Sequence, residues 1–257
     1  MTSMTPPIDA DTTAAPSWRR WLVLLVMSIG TLVVFIDNTV VNTALPAISN
    51  ELGASITTLQ WIFDAYVLAL VGLLLLGGTL GDRYGRRLWM IIGLVVFGAA
   101  SVVAALAASP EQLIIARALQ GVGAALVLPA TLSIITNTFP RKERTKAIGV
   151  WTAVSALGIG LGPVVGGLIV DEAGWSAVFW MHLPVIALTL IGMLAVPESR
   201  DERKISLDLP GAALGTAGVT ALIFGIIQGN ELGWTSVESL SIFAVSAVLL
   251  GAFAWVE

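Results

Sequence analysis

Three charged residues, Asp37, Asp64 and Arg117, interrupt stretches of sequence that are otherwise almost wholly apolar. A carboxylate taken out of water into such a stretch tends to hold its proton, and a guanidinium close by pulls the other way. Two carboxylates with one guanidinium leave one excess negative charge, which suits a site whose proton occupancy changes with its access to water. Asp37 is expected to be the main proton-carrying carboxylate, Asp64 a second acidic site and Arg117 their electrostatic partner. Counted at about 1.5 Å per residue from the ends of their stretches, all three fall roughly 8 to 11 Å below one surface. A static ion pair between Arg117 and one aspartate is the competing reading.

The elements that must position these charges are helices across a membrane. The chain has 257 residues, 56% of them hydrophobic and only 12% charged, where a soluble domain has roughly a quarter charged. Its mean hydropathy is +0.90. Apolar runs span 21–44, 58–81, 88–107, 112–137, 146–170, 177–196, 209–229 and 239–256. Each is near the ~20 residues a helix needs to cross a ~30 Å hydrocarbon core. Lipid offers no hydrogen-bond partners, so each run must satisfy its own backbone, and none alternates with the period of two that a barrel requires. The expected fold is all-α and integral to the membrane, with eight spans.

Orientation follows from the basic residues. Arg19 and Arg20, Arg83, Arg86 and Arg87, Arg141, Lys142, Arg144 and Lys146, and Arg200, Arg203 and Lys204 all fall in segments on one side. The opposite loops carry Glu51, Glu111, Asp171, Glu172, Glu231 and Glu238 with no lysine or arginine. Basic loops stay in the cytoplasm, so both termini are expected there, in a plasma (inner) membrane. Trp18, Trp21 and Trp89 then sit at inner span ends and Trp61, Trp175 and Trp234 at outer ends, where indole rings prefer the headgroups. Residues 1–17, with Asp9, Asp11 and three prolines, read as a disordered cytosolic tail.

Two further groups carry chemistry of position rather than of reaction. Asp82 stands at the inner end of the second span beside Arg83, Arg86 and Arg87, where carboxylate and guanidinium can form bidentate bonds that latch one conformation. Gly158, Gly162 and Gly166 recur every four residues in the fifth span, a pattern that lets membrane helices approach closely, and Pro163 lies among them. The same glycines do not form a dinucleotide loop, since no strand precedes them. No Gly-Lys-Ser/Thr phosphate loop is present, so any transport would run on a gradient. With no cysteine and one histidine, thiol chemistry, thiolate metal sites and a His-based metal cluster are excluded or improbable, and no enzyme is expected. His182, about five residues into the sixth span, reads as an interfacial or hydrogen-bonded residue rather than a proton relay.

These motifs, in this order, resemble the major facilitator superfamily, and within it the drug:proton antiporters with fourteen spans, the EmrB/QacA type. The segment from Asp37 to Pro46 is similar to the first-span motif of those antiporters. Gly78-Thr79-Leu80-Gly81-Asp82-Arg83-Tyr84-Gly85-Arg86-Arg87 resembles the superfamily's signature loop. Arg117, Gln120, Gly121 and Gly123 stand at the spacing of the motif assigned there to proton transfer. Gly158, Gly162-Pro163 and Gly166-Gly167 resemble the antiporter motif, and Asp208-Leu209-Pro210-Gly211 with Gly233-Trp234 the two extra central helices. Ahead of the sixth span the family's aromatic and basic stretch ending in Asn-X-Pro is replaced by Trp175-Ser176-Ala177 and His182-Leu183-Pro184.

The resemblance implies a six-span amino-terminal bundle over residues 18–197, a cytosolic linker at 198–208 and two additional spans over 209–257, with the carboxy-terminal six-span bundle absent. It implies proton-coupled efflux of drugs or other small amphipathic compounds, hydrophobic or cationic, by an incomplete or half transporter that works with a missing carboxy-terminal half. No cofactor is expected beyond H+ as coupling ion; the expected partners are the lipid bilayer and the substrate, with no nucleic acid. A non-transporting membrane fragment or scaffold and an uptake carrier for a small metabolite are the alternatives. The topology has a direct test in a chain without native cysteine. Single cysteines near Glu51, Glu111, Asp171 and Glu231 should react with an impermeant thiol reagent in intact cells, and cysteines near Arg86 or Lys142 should not. The reverse pattern would overturn the orientation.

Overall fold

The computed structural model describes residues 16–200 and 209–256. Asp9, Asp11 and the rest of the amino-terminal stretch to residue 15, together with Arg203, Lys204 and Asp208, lie outside the described residues, as does the side chain of Glu231. Among the described residues the chain is helical, with no strand. The helices are α1 (Ser17–Leu52), α2 (Ile56–Tyr84), α3 (Arg86–Ala105), α4 (Pro110–Thr138), α5 (Arg141–Ala173), α6 (Ala177–Trp180), α7 (His182–Gly192), α8 (Leu209–Leu232) and α9 (Val237–Val256). A 3₁₀ turn at Met193–Ala195 continues α7. Among the described residues, eight helical segments are long and apolar enough to cross a membrane, the sixth being α6, α7 and this turn together.

The turns between spans are written in local chemistry. Gly53, with φ 67°, ends α1 in the left-handed conformation that a side chain resists. Ser55 then caps α2 by accepting from the Thr58 N–H at 3.2 Å. Ser109 accepts from the Gln112 N–H at 3.4 Å, and Pro110 opens α4 where its missing N–H is not needed. The first span runs past the expected limit at residue 44 because Pro46 is accommodated inside α1, which continues to Leu52. Neighbouring helices in a membrane supply what a proline removes. The sixth span is not the single helix expected over 177–196 but breaks at Met181.

Small residues set the helix spacing. A Cβ at Gly77 would collide with the Ala125 carbonyl, one at Gly121 with the Tyr66 carbonyl, and Gly93 and Gly123 face each other across α3 and α4. On the other side of the bundle, Gly158, Gly162 and Gly166 of α5 face Leu32, Thr39 and Thr43 of α1, leaving no room for a methyl group. This is the close approach expected of the every-fourth-residue pattern. Gly167 differs, with nothing near the position a Cβ would take. α8 and α9 pack together as a pair, and α8 also packs on α2.

The apolar core is divided in two. One cluster holds Met27, Val34, Tyr66, Leu94, Phe97 and Val127 among others, and the second Val40, Ile48, Ile62, Ala104, Leu113 and Phe179. Along α1, α3, α4 and the α6–α7 segment, the boundary between the clusters falls at Asp37, Ser101, Arg117 with Gln120, and His182, all fully buried or nearly so. A polar layer therefore crosses the bundle. Trp175, expected among headgroups, is instead buried and packs edge-on against Phe179 at 6.2 Å.

The glycine seam predicts unequal effects for equal substitutions. Gly162→Leu overpacks the α1–α5 contact and should lower stability by about 1–3 kcal/mol, whereas Gly167→Leu should be close to neutral. Thermal unfolding of the two purified variants measures the difference, and equal midpoints would refute the seam.

Candidate functional site

The polar layer centres on Arg117, the largest fully buried side chain among the described residues. One guanidinium nitrogen, Nη1, donates to both carboxylate oxygens of Asp37, at 2.9 Å to Oδ1 and 2.7 Å to Oδ2. The same nitrogen lies 2.8 Å from Gln120 Oε1, and Nε donates to the Ile62 carbonyl at 3.3 Å. Tyr66 lies face-on beneath the guanidinium, 4.3 Å from its centre, and donates its hydroxyl to the Val34 carbonyl. Arg117 Nη2 is buried with no hydrogen-bond partner. Both ends of the pair are 0% exposed.

A chain of bonds leads from Arg117 round to a histidine that completes the ring. Gln120 Nε2 donates to Ser101 Oγ at 2.8 Å, and Ser101 donates its single proton to the Phe97 carbonyl at 2.8 Å. Ser101 Oγ also lies 3.4 Å from His182 Nδ1, which donates to it in the tautomer that carries its hydrogen on Nδ1. His182 Nε2 then faces Asp37 Oδ1 at 3.6 Å and has no hydrogen-bond partner of its own. In that tautomer the Nε2 lone pair would face the carboxylate. Phe97 and Phe179 clamp the imidazole edge-on at 5.6 and 6.3 Å and close it off from water.

Of the three charges expected to act together, the structure unites Asp37 and Arg117 and sets Asp64 elsewhere. Arg117's bonds go to Asp37, Gln120 and Ile62, while Asp64 lines a separate cavity of about 570 Å³ with Asn42, Gln60, Trp61, Phe63 and Gln228. Helix phase explains the difference. Ile62 and Tyr66, four residues apart, face the layer, and Asp64 between them points away from it. The depth count also assumed that α1 ends near residue 44, whereas Asp37 lies about four turns before Leu52. His182 is the hydrogen-bonded residue expected, and it meets partners far off in sequence, Ser101 and Asp37.

At the loop between α2 and α3, Gly85 turns the chain with φ 123°. Asp82 pairs with Arg86, at 2.7 Å from both Nε and Nη2. Arg83, expected in the same cluster, is exposed and lies over the Tyr84 ring, and Arg87 turns into a cavity instead. The unforeseen member is Glu198. Its carboxylate accepts from the Arg87 and Leu88 N–H groups at 3.0 and 3.2 Å, capping α3 against the bare edge of Gly85. Gly78 faces Pro129 of α4 at ordinary contact distance.

A family model described as Major Facilitator Superfamily matches residues 27–256. This chain belongs to the major facilitator superfamily. Among relatives in the superfamily, it is 40% identical over 253 residues to a puromycin resistance protein of Streptomyces alboniger, covering 98% of this chain and 50% of that protein. It is 39% identical to the multidrug resistance protein Stp of Mycobacterium tuberculosis, covering 92% and 44%. A probable actinorhodin transporter of Streptomyces coelicolor is 41% identical, covering 94% and 43%. The chain spans about half the length of these curated relatives. Its fold is that of solved superfamily transporters: the proton:xylose symporter XylE superposes with a TM-score of 0.64 at 20% identity, over 93% of this chain and 55% of that one. The peptide transporter PepTSo gives 0.64 at 15% identity, over 93% and 53%. Family and fold are those of membrane transporters, not enzymes.

The buried pair predicts a non-additive mutant cycle. Asp37→Leu leaves Arg117 an uncompensated buried charge and should cost about 3–5 kcal/mol. The double variant Asp37→Leu with Arg117→Leu should recover most of that loss. Denaturant unfolding in detergent gives both values, and additive losses would show that the two side chains do not depend on each other.

Proposed function

We propose that this chain is the amino-terminal portion of a proton-driven exporter of small amphipathic compounds, with Asp37 as the proton carrier. The observation that carries the reading is the fully buried Asp37–Arg117 pair with His182 Nε2 facing the same carboxylate at 3.6 Å. The printed names of the relatives, resistance and export proteins among them, favour export of drug-like molecules over uptake of metabolites. Residues 18–197 would form one six-span bundle, with α8 and α9 as additional spans that follow it. Both termini would lie in the cytoplasm of a cell whose plasma membrane holds the protein.

In the conformation described, Asp37 is closed off from water, so no proton can enter or leave. Opening of the layer to one face would let a proton add to Asp37. The neutral acid would then hold Arg117 less tightly, and the guanidinium would turn towards Gln120, to which it already donates. Return of the proton to water on the other face would restore the pair. His182 offers a second resting place for that proton beside the carboxylate. Asp64, in its own cavity, would act as a second acidic site. At the basic loops, the Asp82–Arg86 pair and the Glu198 cap would hold one conformation together, and Gly85 would allow the turn.

Substrate would bind where this bundle meets a second six-span half, near the midplane between halves that rock against each other. This polypeptide by itself would therefore move nothing. The test uses this chain joined to a carboxy-terminal six-span half and reconstituted in vesicles with an imposed pH gradient and a fluorescent cationic dye. Asp37→Asn should abolish gradient-driven extrusion while leaving downhill dye exchange, Asp64→Asn should weaken extrusion, and the chain without its second half should extrude nothing. Full extrusion by Asp37→Asn would overturn the assignment, and loss of exchange together with extrusion would favour a static ion pair.

A further inference from the structure

At the basic-loop end of the bundle a cavity of about 290 Å³ opens between the start of α1, the start of α3, the end of α4 and the segment after α7. Arg19, Arg20 and Arg87 line it, with Thr138, Leu194 and Val196. The Nε groups of Arg20 and Arg87 are buried there without hydrogen-bond partners. The neighbouring acids offset the three arginines only in part. Glu143 reaches Arg20 only at 3.5 Å and its Oε2 makes no hydrogen bond, and Glu198 is occupied by the N–H groups of Arg87, Leu88 and Ser199. Asp82 is taken by Arg86. Two guanidinium groups thus border a small, partly apolar space, and their Nε atoms have no hydrogen-bond acceptor among the described residues.

From the mouth of this cavity an apolar track runs along the bundle. Leu194 is 76% exposed, and Ile191 and Leu188 follow it on the same face of α7, three residues apart and also exposed. Leu25 and Trp18 stand exposed on α1, which packs against α7 where Gly192 meets Val26. A guanidinium-lined cleft at the membrane surface, continued by an exposed hydrocarbon face, matches a molecule with a phosphate at one end and an acyl chain at the other.

We propose that this cavity binds the phosphate headgroup of an anionic glycerophospholipid, with an acyl chain lying along Leu188, Ile191 and Leu194. Arg20 and Arg87 hold the phosphate through their guanidinium groups, and Arg19, beside the ring of Trp18, closes the outer side. The bound headgroup joins α1, α3 and the end of the sixth span, the last two of which also meet through Glu198. The site is independent of the efflux reading.

Native mass spectrometry of the purified chain, offered dioleoyl phosphatidylglycerol or dioleoyl phosphatidylcholine, tests the proposal. Phosphatidylglycerol should be retained and phosphatidylcholine lost. Arg20→Gln and Arg87→Gln should each weaken phosphatidylglycerol binding about fivefold, while Arg141→Gln, on an exposed arginine outside the cavity, should not. Glu143→Gln removes a competing carboxylate and should tighten binding, a gain that a merely damaged fold does not produce. Equal retention of the two lipids, undiminished binding by Arg87→Gln, or no gain in Glu143→Gln would each overturn the proposal. Displacement of phosphatidylglycerol by millimolar inorganic phosphate would mean that a free ion, not a lipid, is the ligand.

Discussion

Burial of the Arg117 guanidinium in the middle of an apolar bundle sets the terms for everything around it. An unpaired charge in the centre of a membrane costs about 2.5–3.5 kcal/mol on insertion scales, and more where water cannot reach it. The bundle meets that demand with one carboxylate, one amide, one carbonyl and one aromatic face, drawn from α1, α4 and α2. Because these partners come from different helices, the charge fixes how the helices are rotated and how deep each one sits. The two apolar clusters, one on either side, are what keep the layer dry. A buried network of this kind specifies one packing, with Arg117 Nη2 and His182 Nε2 left without hydrogen-bond partners, and it holds only while every member keeps its protonation state.

The membrane architecture was legible in the sequence because it rests on composition and run length, which need no knowledge of tertiary contacts. Asp37 and Arg117 were legible for a related reason: charges inside apolar stretches must have partners. What the sequence hid was direction. Asp64 and Tyr66 are two residues apart, and only the packing of α2 decides that Tyr66 enters the polar layer while Asp64 lines a different cavity. His182 and Ser101 are 81 residues apart, and Glu198 caps a helix that begins more than a hundred residues earlier, so no local pattern announces either contact. Trp175 misled because tryptophan near a loop usually marks an interface, and here Phe179 and the neighbouring core enclose it.

The loop motif shows the same distinction between residue types and their arrangement. Four charges in a row suggested one cluster, but helix geometry separates them: Asp82 and Arg86 are four residues apart and meet across the turn, whereas Arg83 and Arg87 leave in other directions. The capping acid comes from the end of the sixth span. Its carboxylate can approach the α3 amides because Gly85 presents no side chain there. Gly85 thus serves both the turn and the contact.

α1 connects these parts mechanically. One face carries Asp37 into the polar layer, and two residues later Thr39 begins the contact with Gly162 of α5, followed by Thr43 against Gly166. That seam has no slack, since even a methyl group would not fit, and close-packed surfaces of this sort shift between discrete arrangements rather than deform smoothly. A change in the charge of Asp37 that loosens its hold on α4 therefore cannot be absorbed within α1. α1 and α5 would have to move as a unit past α2, α3 and α4, which are themselves bound together through Gly77, Gly93, Gly121 and Gly123. The bundle thus divides along the Asp37–Arg117 contact into two tightly packed groups of helices. Under the proposed reading, that contact is where proton occupancy would become a displacement of one group against the other.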